Sequence, residues 1–287
     1  MTAASNKNLI SFLLYFAVGL LVVVILTPYL WLFISSISTK RDLTTIPLRW
    51  FPPEPTFENY SRLLLGGTGA TDAASQFGRC ALNSLIVASM VTLISVFFGS
   101  LSAYCLTRIN FKGRSMLSFT IIIPQLLPPV ALIIPLYLIV RKLGLLDTRF
   151  ALIMTYTSFI LPLVIWLMIG HFRSIPPDIE EAARIDGCSR IGALFRVVLP
   201  LVAPGIAATF IFAFIIAWNE FFYALIFSST QSSKTLSVLV EEFSSKFGED
   251  YVLMSTAGVL ASLPPVALAL VFQRYIVQGL TAGSVKG

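Results

Sequence analysis

Few residues in this 287-residue chain could carry chemistry. His171 is the only histidine, and one imidazole cannot build a His-rich metal site or the paired histidines of an H-E-x-x-H helix. Cys80, Cys105 and Cys188 form an odd set with no C-x-x-C spacing. They read as small apolar fillers rather than as a disulfide framework or a zinc site. No metal site and no catalytic site is expected. The glycine cluster Gly66-Gly67-Thr68-Gly69 lacks the lysine that a phosphate-cradling loop requires, so the chain is not expected to bind ATP itself. Glu220 is the one carboxylate well inside an apolar run, with Trp218 and Asn219 beside it. An ionisable group in such a run is a functional candidate. It lies sixteen residues past Pro204, about 24 Å along a helix, which puts it near an interface where solvation is cheap. A structural role and a functional one both remain open. Asn219 and Trp218 could hydrogen-bond to and stack on a ligand, or anchor the chain at the interface.

The densest polar constellation runs from Ile175 to Gly205, IPPDIEEAARIDGCSRIGALFRVVLPLVAPG. Pro176 and Pro177 suit a helix start. Asp178, Glu180 and Glu181 sit where carboxylates complement the helix dipole, and Glu180 can pair with Arg184 at i,i+4. Gly187 should end this helix in a left-handed conformation. Ser189 can cap a second helix over 190–198 that stops at Pro200. The pair Ala182–Ala183 beside Ile179 gives a small, mildly apolar face among charges. Such a helix either docks in a groove of another protein or lies on lipid headgroups.

The elements that must position these residues are membrane spans. Apolar residues make up 56% of the chain and charged residues 12%, with mean hydropathy +0.86. About 25% charge is usual for a soluble domain, so lipid must cover much of the surface. Six stretches are long and apolar enough to cross a bilayer: 9–35, 81–106, 117–140, 150–169, 204–227 and 252–272. The first is too long for a signal-peptide core and has no small-residue cleavage site after it. Pro28, Pro124, Pro128, Pro129, Pro135, Pro264 and Pro265 fall in spans, as kinks or as hinges. Gly99, Ser100, Ser102 and Ala103 should let helices approach closely. The connector 36–80 is the longest, 107–116 is short and basic, 170–203 is helix-like, and 228–251 is polar and acidic. The net charge of +6 is spread thinly, without the basic stripe that nucleic acid needs. With both termini inside, the 20 Lys and Arg divide evenly between the two sides, so charge does not set the orientation.

Glu181-Ala182-Ala183, then Gly187, then Leu199-Pro200 resembles the EAA loop of ABC importer permeases. Further segments are similar to the maltose-type (carbohydrate uptake) permeases among the binding-protein-dependent inner membrane components. These are Glu58-Asn59-Tyr60, Asn83-Ser84-Leu85, Ala103-Tyr104, the run Arg108 to Arg114, Trp218-Asn219-Glu220-Phe221 and the ending QRYIVQGLTAGSVKG. The resemblance covers nearly the whole chain. Cys188 departs from it, standing where the family more often has alanine.

The resemblance implies an all-α integral membrane protein with six transmembrane helices, the type I ABC importer permease fold and a cytoplasmic coupling helix. Residues 1–75 would hold the N-terminal tail, first span and outer loop. Residues 76–273 would be the five-helix core with the EAA loop at 175–205, and 274–287 a cytoplasmic tail contacting the ATPases. Glu180, Glu181, Ala182, Ala183, Asp186 and Gly187 would couple to the ATPase; Asn83, Trp218, Asn219 and Glu220 are candidates for the solute path. The implied partners are a second permease subunit in a heterodimer, two ATPase subunits that bind ATP and Mg, and an extracytoplasmic solute-binding protein reached by 228–251. The implied location is a bacterial inner membrane with both termini cytoplasmic. The implied cargo is a sugar or oligosaccharide, with a glycerophosphodiester or polyol as the alternative. A membrane enzyme lacks a catalytic constellation here. An autonomous secondary transporter would usually show intramembrane charges or repeated discontinuous helices.

Overall fold

The computed structural model describes residues 2–65, 72–245 and 250–281. The glycine cluster 66–69, Lys246, Glu249 and the end of the tail, 282–287, lie outside the described residues. In chain order the α-helices are α1 (Thr2–Ser36), α2 (Lys40–Thr44), α3 (Glu58–Leu65), α4 (Asp72–Arg108), α5 (Arg114–Ile122), α6 (Pro129–Lys142) and α7 (Arg149–Arg173). They continue with α8 (Pro177–Ile185), α9 (Arg190–Ala193), α10 (Leu199–Trp218), α11 (Phe222–Phe227), α12 (Leu236–Ser245) and α13 (Tyr251–Thr281). No strand occurs among the described residues. Lipid offers no hydrogen bonds, so spanning segments close their backbone bonds internally as helices.

Five helices are long and apolar enough to cross a bilayer, and the count rises to six if the bent pair Arg114–Leu126 and Pro129–Lys142 is one span. The expected spans are there, with four revisions. The helix expected over 81–106 begins at Asp72. The third span, expected as 117–140, is two helices bent by 95°. A single 3-10 turn, Ile123–Leu126, ends the first half, and Pro128 and Pro129 follow. Consecutive prolines remove two backbone donors, and each pushes the residue before it out of the helical region. The fifth span, expected as 204–227, extends upstream to Arg190 and breaks after Trp218, leaving α11 separate. The sixth helix does not end near 272 but continues to Thr281, passing Pro264 and Pro265 without a break.

The chain divides into two compact units. One comprises residues 1–77 and 240–261. In it, Asn59 Nδ2 donates to the carbonyls of Ser36 (3.1 Å) and Ser38 (3.2 Å), and the Tyr60 hydroxyl lies 2.6 Å from that of Ser36. Thr256 Oγ1 also donates to the Ser36 carbonyl, at 3.3 Å. The end of α1 is thereby pinned by α3 and α13, while the apolar length of α1 stays exposed.

The other unit comprises 78–239 and 262–287. In it α10 packs along α7, and α4 approaches α7 closely. A Cβ on Gly99 would meet Val164 Cγ1 at 2.6 Å, so glycine is what lets α4 lie against α7. A Cβ on Gly205 would run into the His171 ring, with Nδ1 at 2.5 Å, so α10 crosses α7 on a bare backbone.

Candidate functional site

The polar constellation folds as a helix–turn–helix at one end of the spans. α8 starts at Pro177, as its prolines require, and ends in a Schellman motif. Gly187 N donates to the Arg184 carbonyl (3.1 Å) and Cys188 N to that of Ala183 (3.0 Å). Gly187 has φ +94°, and the space where its Cβ would stand is open. The glycine is needed for backbone conformation alone. Cys188 holds the position after the left-handed residue, where a small half-buried apolar group suffices. Ser189 caps the next helix by accepting from Gly192 N at 3.1 Å.

That second helix corrects the expectation of a stop at Pro200. α9 passes through a π turn, Leu194–Val198, directly into α10 with Pro200 in its first turn. The wider turn changes the donor pattern just where proline has no N–H to give. The helix leaving this helix–turn–helix is therefore the fifth span itself. The π turn packs against α8.

Glu180 does not pair with Arg184. It is 6% exposed and turned inward. Its Oε1 accepts from the Tyr104 hydroxyl at 2.6 Å, and its Oε2 lies 3.5 Å from Arg108 Nε. Arg108 Nη2 donates to the carbonyls of Phe172 (3.1 Å) and Ile175 (2.7 Å). One guanidinium thus ties the end of α4 to the end of α7 and, through Glu180, to α8. A bridge to a buried cation on a neighbouring element offers a low-dielectric partner, whereas an exposed i,i+4 pair is worth only a few tenths of a kcal/mol. Of the six residues expected to couple, Glu180 is the internal anchor. Glu181, Ala182, Asp186 and Gly187 are exposed and Ala183 is half-buried. Ile185 is 86% exposed beside them, an apolar knob on a polar helix.

At the opposite end the residues proposed for the solute path separate. Asn83 is fully buried. Its Nδ2 donates to the carbonyls of Gln231 (3.1 Å) and Lys234 (2.8 Å), and its Oδ1 accepts from Arg149 Nε at 2.8 Å. Trp218 is buried and stacked on Phe214, ring centres 5.7 Å apart. Asn219 and Glu220 do come together, in the break between α10 and α11. They line a cavity of about 330 Å³ with Gln125, Tyr156, Phe159 and Tyr223. Both Glu220 oxygens accept backbone N–H groups of α11, from Tyr223 (2.9 Å) and Ala224 (3.3 Å). The Tyr223 hydroxyl donates to the Pro129 carbonyl at 2.9 Å, and Gln125 Nε2 donates to the Phe159 carbonyl. The breaks in the third and fifth spans therefore meet at one cavity. Among its lining residues Phe159 and Tyr223 stack, 5.0 Å between centres.

Sequence reasoning did not single out Asp147. This residue has φ +59° and sits between α6 and α7. Its Oδ1 accepts from Ser229 N (3.0 Å), Thr230 N (2.9 Å) and Ser233 Oγ (2.9 Å). Its Oδ2 accepts from the hydroxyls of Thr230 and Ser232. Burial raises its pKa, but the bonds from Thr230, Ser233 and Ser229 outweigh that and hold it at about 2. An aspartate between two basic-flanked spans and a Ser/Thr run at 228–233 were the available signals.

The family described as binding-protein-dependent transport system inner membrane component matches residues 95–282. The sulfoquinovosyl glycerol transport system permease protein of Agrobacterium fabrum is 38% identical over 291 residues, covering 100% of this chain and 99% of the relative. The trehalose/maltose transport system permease protein of Thermococcus litoralis is 37% identical over 269 residues, 93% of this chain and 94% of the relative. Among solved structures, a chain of a bacterial ABC transporter involved in the import of the acidic polysaccharide alginate superposes with TM-score 0.77 at 24% identity. It covers 94% of this chain and 97% of that one.

Proposed function

Because the chain belongs to the binding-protein-dependent transport system inner membrane components, we propose that it forms half of the path through which an ATP-driven importer passes a sugar or oligosaccharide. The relatives are permease proteins of a sulfoquinovosyl glycerol and a trehalose/maltose transport system, which supports a glycoside as cargo rather than a free polyol. As a permease subunit it leaves ATP hydrolysis to a separate partner, which would also hold the Mg. A second permease subunit would complete the path, and a solute-binding protein would deliver the cargo.

The observation that carries this reading is the lever: an exposed helix with Glu181, Ala182 and Ile185 outward, rooted in the span ends through Glu180 and Arg108. A rooted lever transmits force, whereas a loosely held helix would absorb it. Nucleotide-driven closure of the ATPases would pull the lever and shift the spans between two states. This requires the lever end, and with it both termini, to face the cytoplasm. In the assembled transporter, Ile185→Cys should cross-link to an ATPase subunit. It should react with a membrane-impermeant maleimide only in inside-out vesicles, in a background lacking the native cysteines. Labelling from the cell exterior would overturn the reading.

The cavity at the two helix breaks is the segment of this chain best suited to line the path, with aromatic faces and the amides of Gln125 and Asn219 suiting a sugar. The carboxylate of Glu220 also caps α11, which favours a structural role for it. Glu220→Ala separates the two. Lost transport at unchanged thermal stability assigns Glu220 to the path, and parallel loss of both assigns it to the helix.

A further inference from the structure

The densest hydrogen-bonded cluster away from the lever is the one around Asp147. Its carboxylate takes five hydrogen bonds from segment 229–233, and its own N–H donates to the Phe227 carbonyl at 2.8 Å. The same segment is held from a second direction. Asn83 binds the carbonyls of Gln231 and Lys234, and Ser84 Oγ accepts from Leu236 N at 2.7 Å. Arg149, two residues after Asp147, closes the circuit by donating to Asn83. Three connectors far apart in sequence are thereby welded into one rim: the start of the second span, the α6–α7 link and the segment entering α12. Ser229, Thr230 and Ser232 remain exposed on it, while Ser233 to Leu236 are buried.

We infer that Asp147 is a positioning residue: it holds the 228–235 segment in the shape that receives the soluble solute-binding protein on the outer face. The inference rests on the transporter reading above, which puts this end of the spans outside. Its physical content is preorganisation. A loop ordered before encounter does not lose that freedom on binding, so a partner meets it with higher affinity. A carboxylate suits the task because it only accepts, and every group facing it donates. The left-handed backbone is one that aspartate tolerates better than most residues.

The test uses the intact complex in nanodiscs, with its own solute-binding protein added in solute-free and solute-loaded forms. Asp147→Ala removes the acceptor. Asp147→Asn keeps one oxygen for Ser229, Thr230 and Ser233 and lets the remaining hydroxyls rotate to accept. Hydrogen exchange at 228–235 should speed up in the alanine variant and return close to wild type in the asparagine variant. The binding-protein concentration giving half-maximal stimulation of ATP hydrolysis should rise by about tenfold with alanine, equivalent to roughly 1.4 kcal/mol, and much less with asparagine. Basal hydrolysis without binding protein should not change. Wild-type half-saturation in Asp147→Ala, unchanged exchange, or a parallel fall in basal hydrolysis would each overturn the assignment. A wild-type complex that ignores the binding protein would instead sink the transporter reading. The exchange measurement would still decide whether Asp147 holds the segment.

Discussion

At the residue scale, the lever depends on a backbone angle and one buried carboxylate. Gly187→Ala puts a methyl group into open space at φ +94°, so it isolates the conformational cost, roughly 1–2 kcal/mol. Gly187→Asn should cost less. We expect substrate-stimulated ATP hydrolysis to fall in the order glycine, asparagine, alanine. Equal rates for all three would show that the turn's shape is immaterial. Glu180→Ala leaves the Arg108 guanidinium buried without its counter-ion and should lower stability by about 3 kcal/mol, whereas Glu180→Gln keeps an acceptor for Tyr104 and should cost less. Thermal unfolding in detergent or nanodiscs checks both. Asp147 makes a prediction in pH. Its folded pKa is depressed to about 2, below the ordinary carboxylate value, so its stabilisation is complete above about pH 4 and is lost as pH falls toward 2. Exchange at 228–235, corrected for intrinsic rates, should therefore be flat between pH 5 and 7. A midpoint inside that window would contradict the depressed value.

At the scale of elements, close crossings and helix breaks decide the architecture. Gly205→Ala would drive a methyl into the His171 ring and should destabilise the α7–α10 crossing by about 1–3 kcal/mol, visible as a lowered unfolding temperature. Unchanged stability would mean that the ring swings aside freely. Spans were legible in the sequence because runs of apolar residues suffice to specify a helix in lipid. The lever was legible because its punctuation is local: Pro177 at the start, Gly187 at the end, Ser189 after it. The Glu180–Arg108 pair was not, since the two lie 72 residues apart and Arg184 offered a nearer partner. Nor was the union of Asn83 with Gln231 and Lys234, across separations of 148 and 151 residues. The continuous passage from α9 to α10 was hidden because proline usually ends a helix, and a π turn leaves no mark in hydropathy.

At the scale of the molecule, surface composition follows from the surroundings. The most apolar stretch of α1 has no buried residues, while half of the most apolar stretch of α4 is buried. In the isolated chain in a bilayer, a lipid-borne photoactivatable carbene should therefore label Phe16 and Leu20 far more than Val87 and Val91. Even labelling of the two helices would contradict the packing. The π turn at 194–198 has a consequence of its own. Five residues there close a loop that four would ordinarily close, so the helix carries one surplus amino acid. Were that surplus to migrate, as a wrinkle travels along a carpet, every residue it passed would be spun by about 100° about the axis while both ends stayed put. By such a shift the fifth span would change which side chains look inward without changing its length.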